Sequence, residues 1–132
     1  MDIKFRGQKL GTKEWIFGSL ISDLSKGYAI VQQTHNPIQN GVIQGWCFGI
    51  KPETVGQFTG FVDDNGNEIY SGDRFNSPIE DIKYYEVYFE NGCFKMGYTL
   101  NDKFFSCGKI DQCVELLKEY ELFKKIDTLS LE

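Results

Sequence analysis

Short runs in which apolar and polar residues alternate dominate the first half of the chain and predict β-strands. Residues 3–6, which read Ile-Lys-Phe-Arg, show this alternation at the start, and a glycine breaks it at once. The predicted strands of this half are residues 3–6, 15–21, 28–31 and 42–50. Between the last two, Thr34 to Gly41 contains proline, asparagine and glycine, and we expect a loop there that is suited to carrying a binding site.

A second group of apolar-rich runs lies downstream and predicts a β-hairpin. Tyr84 to Glu90 and Cys93 to Tyr98 are rich in aromatic and apolar residues, and Asn91-Gly92 separates them. Asn-Gly is the strongest short hairpin signal, because a type I′ turn requires positive φ at both central residues. We expect Lys103 to Cys107 to add a further strand.

The apolar residues change to helical spacing near the end of the chain. Asp111 is expected to cap this helix. The apolar residues expected on or beside its buried face are Val114, Leu117 and Tyr120, with Leu116 and Phe123. We interpret the stripe as core packing rather than as a groove for a partner.

Residues 55–75 are dense in Gly, Asp and Asn, which can serve either as turn corners or as a site. All three residue types tolerate the left-handed conformations of tight turns. Residues 63–67 also match the first three ligand positions of an EF-hand, but Glu68 stands where the calcium loop needs Gly, and Arg74 where it needs a bidentate carboxylate. We therefore predict turns and no metal site.

Length and composition indicate a mainly β protein of one compact domain or two small lobes. The chain has 132 residues, and 15% of them are aromatic, a high proportion that favours strands. Pro52 marks the predicted boundary, since proline is excluded from the interior of a sheet. The predicted parts are an N-terminal β-lobe, residues 1–52, and a C-terminal unit, residues 53–132.

The net charge of -5 argues against a protein that wraps duplex DNA, because many phosphate contacts require a clustered basic surface. A smaller basic face is compatible with the first part of the sequence. Its basic residues are Lys4, Arg6, Lys9 and Lys13, and Trp15 and Phe17 lie close by in the sequence. Cationic grooves with aromatic platforms bind single-stranded nucleic acid.

The candidate reactive groups are four cysteines and one histidine. Cys47, Cys93, Cys107 and Cys113 stand far apart without a Cys-x-x-Cys pair, and His35 lies in a different stretch from all of them. We interpret the cysteines as core or free thiols rather than as a zinc site or disulfides. No apolar run approaches the ~20 residues of a membrane span and no signal-peptide pattern opens the sequence, so we expect a cytoplasmic protein.

Established catalytic motifs are absent from the sequence. There is no phosphate-binding P-loop, Rossmann glycine pattern, nucleophile elbow or zinc-protease motif. A Cys-His pair would have to use His35. The paired carboxylates are interpreted as turn or solvent-facing residues, and they are Asp63-Asp64, Glu80-Asp81 and Glu119 with Glu121. We expect no enzymatic activity, no catalytic residues, no cofactor and no metal.

Several ordered blocks give the chain a resemblance to the YopX family. The specific one is the central run of the form T-V-G-Q-(Y/F)-T-G followed by D-x-N-G-x-E-I-Y-x-G-D, which here ends at Asp73. The blocks that carry the resemblance are residues 3–7, 14–21, 52–60, 64–73 and 88–92. Residues 114–120 depart from it, because family members close with a Gly-Asn-Ile-x-Glu-Asn-like segment. The resemblance implies a phage- or prophage-encoded protein of unknown biochemical function whose C-terminal half is an SH3-like barrel.

Three hypotheses of function follow. The first is a non-enzymatic module that binds a host or phage protein through the Thr34 to Gly41 loop or through exposed aromatic residues of the hairpin. The second is a nucleic-acid-binding barrel that uses the basic N-terminal strand, and the third is an uncharacterised enzyme. Exposed edge strands in a small β-domain also predict a small homo-oligomer.

Overall fold

The structure is a computed structural model and describes residues 3–23, 27–39 and 42–126. It divides into two compact units, Met1–Phe58 and Thr59–Glu132. Antiparallel strands build both units and one short helix lies near the C-terminus, so the mainly β fold class is confirmed. The SH3-like closure of the C-terminal half and the division at residue 52 stay predictions. Pro52 itself lies in the first unit, in the 3-10 helix Pro52–Thr54.

The first unit is an antiparallel sheet in which the first four strands each pair with the next along the chain, and the fifth pairs with the first. Its strands are β1 (Phe5–Gln8), β2 (Trp15–Asp23), β3 (Gly27–Gln39), β4 (Val42–Ile50) and the start of β5 (Gly56–Val62). The end of β4 also returns to β1, because Leu10 N donates to Gly49 O (3.0 Å) and Lys51 N donates to Gln8 O (2.9 Å). This return encloses the small core of the unit, which centres on Ile16, Ile30 and Ile50.

The loop predicted from Thr34 to Gly41 is wrong over most of its length, because β3 continues to Gln39. Gln39 pairs with Val42, and the ladder is irregular only between Gln33 and Ile38. Pro37 falls inside that irregular interval, where a missing backbone donor removes no regular ladder bond. Pairing with β4 therefore overrides the local turn signals. Asn40 and Gly41 lie outside the described residues.

The second unit combines a five-stranded sheet with a helix. Its elements after β5 are β6 (Glu68–Tyr70), β7 (Arg74–Asn76), β8 (Tyr84–Glu90), β9 (Cys93–Leu100), β10 (Lys103–Lys109), α1 (Ile110–Glu119) and β11 (Lys125–Ile126). The strand order in the sheet is β10-β9-β8-β7-β11. The predicted hairpin is confirmed, since Asn91 and Gly92 have φ of 52° and 79° between β8 and β9. The predicted strand at residues 103–107 is confirmed as β10.

The helix packs on the core of the second unit through a face that differs in part from the predicted one. Its buried residues are Ile110, Cys113, Val114 and Leu117, spaced as one helical face requires. Tyr120 is 56% exposed, since it follows the last helical residue with φ -95° and ψ 7°. Leu116 is also exposed. Asp111 does not cap the helix, which begins one residue earlier, after Lys109, and has no side-chain cap.

Strand β11 is held by two carboxylates that come from turns distant in sequence. Its Lys125 donates through Nζ to Asp73 Oδ2 (3.2 Å) and to Glu68 O (2.7 Å). The Lys125 backbone N–H donates to Asp63 Oδ2 (3.0 Å). Asp73 is fully buried, and its Oδ2 also accepts from Tyr70 N (2.7 Å). The turns around Asp63 and Asp73 therefore anchor the last strand.

We expect Lys125→Met to lower the free energy of unfolding by about 3 kcal/mol, because the substitution leaves the buried Asp73 carboxylate without its cation. The backbone bond to Asp63 is kept. Urea unfolding followed by fluorescence measures the change. The control is Lys124→Met at the exposed neighbouring position, for which we expect a change within about 0.5 kcal/mol. Equal unfolding energies for the two variants would contradict the role assigned to Lys125.

Candidate binding edge of the second sheet

The calcium-like stretch around Asp63 is a turn whose carboxylate already has backbone donors. Asp63 Oδ1 accepts from the backbone N–H groups of Asn65 and Asn67, both at 2.9 Å, and Oδ2 accepts from that of Lys125. Asp63 N also donates to Asn67 O, which closes the turn between β5 and β6. The prediction of a turn is confirmed. Among the described residues, no group of three or more His, Cys, Asp or Glu residues is placed to hold a metal ion.

The same hydrogen bonds set the ionisation of Asp63. Burial of the carboxyl acts to raise its pKa, but backbone hydrogen bonds from Lys125, Asn67 and Asn65 together outweigh burial and lower the pKa below its ordinary value. The folded state therefore favours the ionised form. It follows that this carboxylate contributes stability above the unfolded pKa of about 3.9, and that the contribution is lost as the pH falls through the folded pKa.

Asp63→Asn tests this linkage. At pH 7 we expect the variant to unfold about 2 kcal/mol more easily, because an amide cannot accept at both positions. The difference from the unsubstituted protein should shrink as the pH falls from 5 to 2.5, since protonation removes the same charge. Urea unfolding at each pH measures it, with Asp64→Asn at the exposed neighbouring position as the control. A pH-independent difference would refute the assignment.

Strand β10 forms an edge of the second sheet with one side unpaired in the part of the chain that the structure describes. It pairs with β9 in the register Phe104 to Thr99 and Ser106 to Gly97. The connecting turn, Asn101-Asp102, has φ of 52° and 62°, as a type I′ hairpin requires. The two residues that flank such a turn form hydrogen bonds to each other through both their N–H and their C=O groups. Along the strand, positions that are hydrogen-bonded to the neighbour then alternate with positions whose backbone groups face the other side. Phe104 and Ser106 consequently direct their backbone N–H and C=O groups away from β9.

Aromatic rings cover both faces of the sheet beside this edge. On one face, Phe104 meets Tyr88 edge-on with ring centroids 5.0 Å apart. On the other face, Phe105 stacks on Tyr98 at 5.4 Å and 24°. Phe104 and Phe105 are still 51% and 42% exposed. The rings therefore stabilise the sheet through pairs and also present apolar surface to anything that lies along β10.

Gly97 makes room for the Phe104 ring. A Cβ atom at Gly97 would overlap Phe104 Cζ and would lie 2.6 Å from the carbonyl oxygen of Phe105. Without a side chain at this position, Phe104 can lie across β9 and reach Tyr88. The glycine is therefore required by close packing at the edge.

Gly97→Ala should lower the free energy of unfolding by about 2 kcal/mol through overpacking. The cost should be smaller in a Phe104→Ala background, because the ring that meets the new methyl group is then gone. A double-mutant cycle by urea unfolding measures this coupling. Additive effects of the two substitutions would show that the ring does not determine the cost.

A cleft of about 330 Å³ lies beside the turn that begins β10. Polar and apolar surface contribute about equally to its lining, and the residues are Asp81, Lys83, Tyr84, Thr99, Leu100, Asn101 and Asp102. Sequence reasoning did not predict this cleft, because its walls come from two segments separated along the chain. The cleft extends the accessible surface at one end of the edge.

Three of the four basic residues of the predicted nucleic-acid face lie against aromatic rings of the first unit. Arg6 is only 5% exposed and its guanidinium lies 4.5 Å from the centroid of the Trp15 ring. The Nζ atoms of Lys4 and Lys9 lie 4.9 and 5.0 Å from the ring centroids of Phe58 and Phe48. These side chains are engaged in cation–π contacts. The side chain of His35 lies outside the described part of the chain.

The cysteines are free thiols, as predicted, and they differ in exposure. Cys113 is buried in the helix face, and burial raises the pKa of its thiol to about 11. It is therefore protonated at neutral pH and packs as a small apolar residue. Cys47 and Cys107 are exposed and Cys93 is half-buried.

Residues 4–116 match the family model described as YopX protein. The chain belongs to the YopX family. No curated protein and no solved structure matches it. The central block behind the family resemblance forms the turns at Asp63 and Asp73, whose carboxylates accept hydrogen bonds from Lys125 of β11. No helix in the described ranges combines the length and apolar character of a membrane span.

Sequence reasoning missed the edge that the structure exposes in this YopX-family chain. Residues 103–107 were recognised as a strand, but strand order decides which strands lie at an edge, and order depends on distant pairing. A signal was present in the sequence: Phe104-Phe105 follows Lys103 and a short Asn101-Asp102 turn. Adjacent aromatic residues on a strand face opposite sides of a sheet, so this pair places an aromatic ring on each face of β10.

Proposed function

We propose that this YopX-family chain is a non-enzymatic protein-interaction module, encoded by a phage or prophage and acting in the host cytoplasm. It binds an extended segment of a host or phage protein by adding that segment to β10 as a further strand. The observation that supports this is the set of unpaired backbone groups of Phe104 and Ser106, which lie beside the exposed rings of Phe104 and Phe105. Main-chain hydrogen bonds supply affinity in strand addition, and side chains that alternate between faces supply specificity.

The open run is short. A regular ladder covers Lys103 to Ser106, and a bulge then separates Ser106 from Gly108, whose φ is 114°. Bulges limit the length over which a partner strand can pair. The partner therefore forms its main-chain bonds with Phe104 and Ser106, and its neighbouring side chains contact the rings of Phe104 and Phe105. So small a contact gives a weak, reversible complex.

Nucleic-acid binding through the basic N-terminal strand has less support. Phosphate contacts need cations that can reach the backbone of the nucleic acid. Arg6 is buried against Trp15, and Lys4 and Lys9 lie over Phe58 and Phe48. An enzymatic function has no established catalytic motif in the sequence to support it.

Ser106→Pro tests strand addition directly, because proline removes one of the two outward backbone donors of the open edge. Peptides selected from a random display library against the unsubstituted protein should lose at least tenfold in affinity for this variant. Ser106→Ala keeps the N–H group and should bind them normally. Fluorescence anisotropy measures the affinities, and thermal unfolding establishes that both variants are folded.

The proposed function is wrong if the selection returns no peptide, or if the selected peptides bind Ser106→Pro as well as Ser106→Ala. A second measurement is independent of the variant's stability. Replacing one central residue of a selected peptide by its N-methyl form removes a donor from the peptide side, and this should also weaken binding. Tight binding of single-stranded DNA with a steep salt dependence would instead favour the basic strand.

A further inference from the structure

The charges of β10 are all of one sign. Lys103 and Lys109 stand at its two ends, and the residues between them are uncharged. Both lysines are exposed, and the described residues show no ion pair for either. The edge therefore presents two cations on either side of an aromatic and polar centre.

Two acids lie close to these lysines in sequence. Asp102 lies in the turn before β10, and Asp111 lies in the first turn of α1, where it faces the positive end of the helix dipole. Lys103 and Lys109 are separated by six residues, roughly 20 Å in an extended chain, which exceeds the Debye length at physiological salt. Each lysine therefore interacts with its own local partner. The net charge of -5 for the whole chain is screened over the same distance.

A second copy of the same edge is a poor partner. If β10 paired antiparallel with a copy of itself along its full length, Lys103 of one chain and Lys109 of the other would come together at both ends, with their side chains on opposite faces of the sheet. Like charges gathered at both ends of a strand pair disfavour the pairing. Edge lysines are also a common protection against such pairing. The edge is thus suited to a strand of opposite charge rather than to its own copy.

We propose that β10 selects extended peptides that carry a carboxylate on each side of an apolar centre. This inference rests on the proposed function, since the charges can select only a segment that adds to the edge. The two carboxylates would lie near Lys103 and Lys109, and apolar side chains between them would contact Phe104 and Phe105. The bulge places Lys103 and Lys109 on opposite faces of the sheet, so the two carboxylates must also lie on opposite faces of the added strand.

Three labelled peptides test the selectivity. The acidic probe is Glu-Thr-Thr-Val-Val-Glu, because a strand of six residues places its end carboxylates on opposite faces, as Lys103 and Lys109 lie, and its two valines beside Phe104 and Phe105. Its matched controls have Gln or Lys at both ends. Fluorescence anisotropy at physiological salt should show the acidic probe binding about three- to tenfold more tightly than the Gln control. The Lys control should bind more weakly still. Higher salt should reduce the differences, because exposed pairs are screened.

Charge reversal on the protein is the decisive experiment. Lys103→Glu with Lys109→Glu should reverse the preference, so that the Lys-ended peptide becomes the tightest ligand. Lys124→Glu, at an exposed lysine outside β10, should leave the order of the peptides unchanged. Asp102→Asn should strengthen binding of the acidic probe slightly, since it removes a neighbouring negative charge.

The outcomes separate this inference from the proposed function. Equal affinity for all three peptides, lost in Ser106→Pro, would overturn the charge selectivity and leave strand addition intact. No binding of any peptide, or binding that Ser106→Pro does not weaken, would overturn both. Light scattering at the same concentrations provides a further outcome: an oligomer that dissociates in Ser106→Pro would make a second copy the occupant and overturn the inference.

Discussion

The buried ion pair between Asp73 and Lys125 is the interaction on which the second unit depends most. A fully buried carboxylate is costly unless a cation and hydrogen bonds compensate it, and here Lys125 and the Tyr70 N–H group do so on the same oxygen. The geometry leaves the C-terminal segment little freedom. Lys125 must reach Asp73 with its side chain while its backbone N–H reaches Asp63. Phe123, two residues earlier, is thereby placed in the core, where it stacks on Phe75 at 5.6 Å.

This anchoring gives the second sheet two unlike edges. Lys125 and Ile126 pair with Phe75 and Arg74, so β11 occupies the side of β7 that would otherwise be open. At the other end of the sheet, β10 has no such partner among the described residues. The chain thus covers one edge with its own C-terminal segment, and the proposed strand addition is left to the opposite edge. The glycine- and aspartate-rich turns bear on that proposed function indirectly, because they hold the strand that closes the first edge.

How far the sequence predicts this fold depends on the distance over which each signal acts. The turn at Asn91-Gly92 is fixed by its own backbone preference and was predicted with both of its strands. The turn at Asp63 was also predicted. Its hydrogen bond to the Lys125 N–H group spans 62 residues, however, and no local pattern indicates it. The loop expected at Thr34 to Gly41 was wrong for the same reason. Its proline and asparagine favour a break, whereas the strand continues because β4 supplies partners that local propensity does not include.

The candidate edge shows the same division between local and distant information. Two lysines around two phenylalanines can be seen in the sequence, and in isolation they describe an ordinary amphipathic strand. The position of β10 at the end of the strand order suggests a second role for these lysines, since an open edge must avoid pairing with its own copies. The same two charges that disfavour the copy favour an acidic strand. Protection against aggregation and selection of a partner can therefore arise from a single feature, and the position of β10 in the sheet gives the lysines both roles.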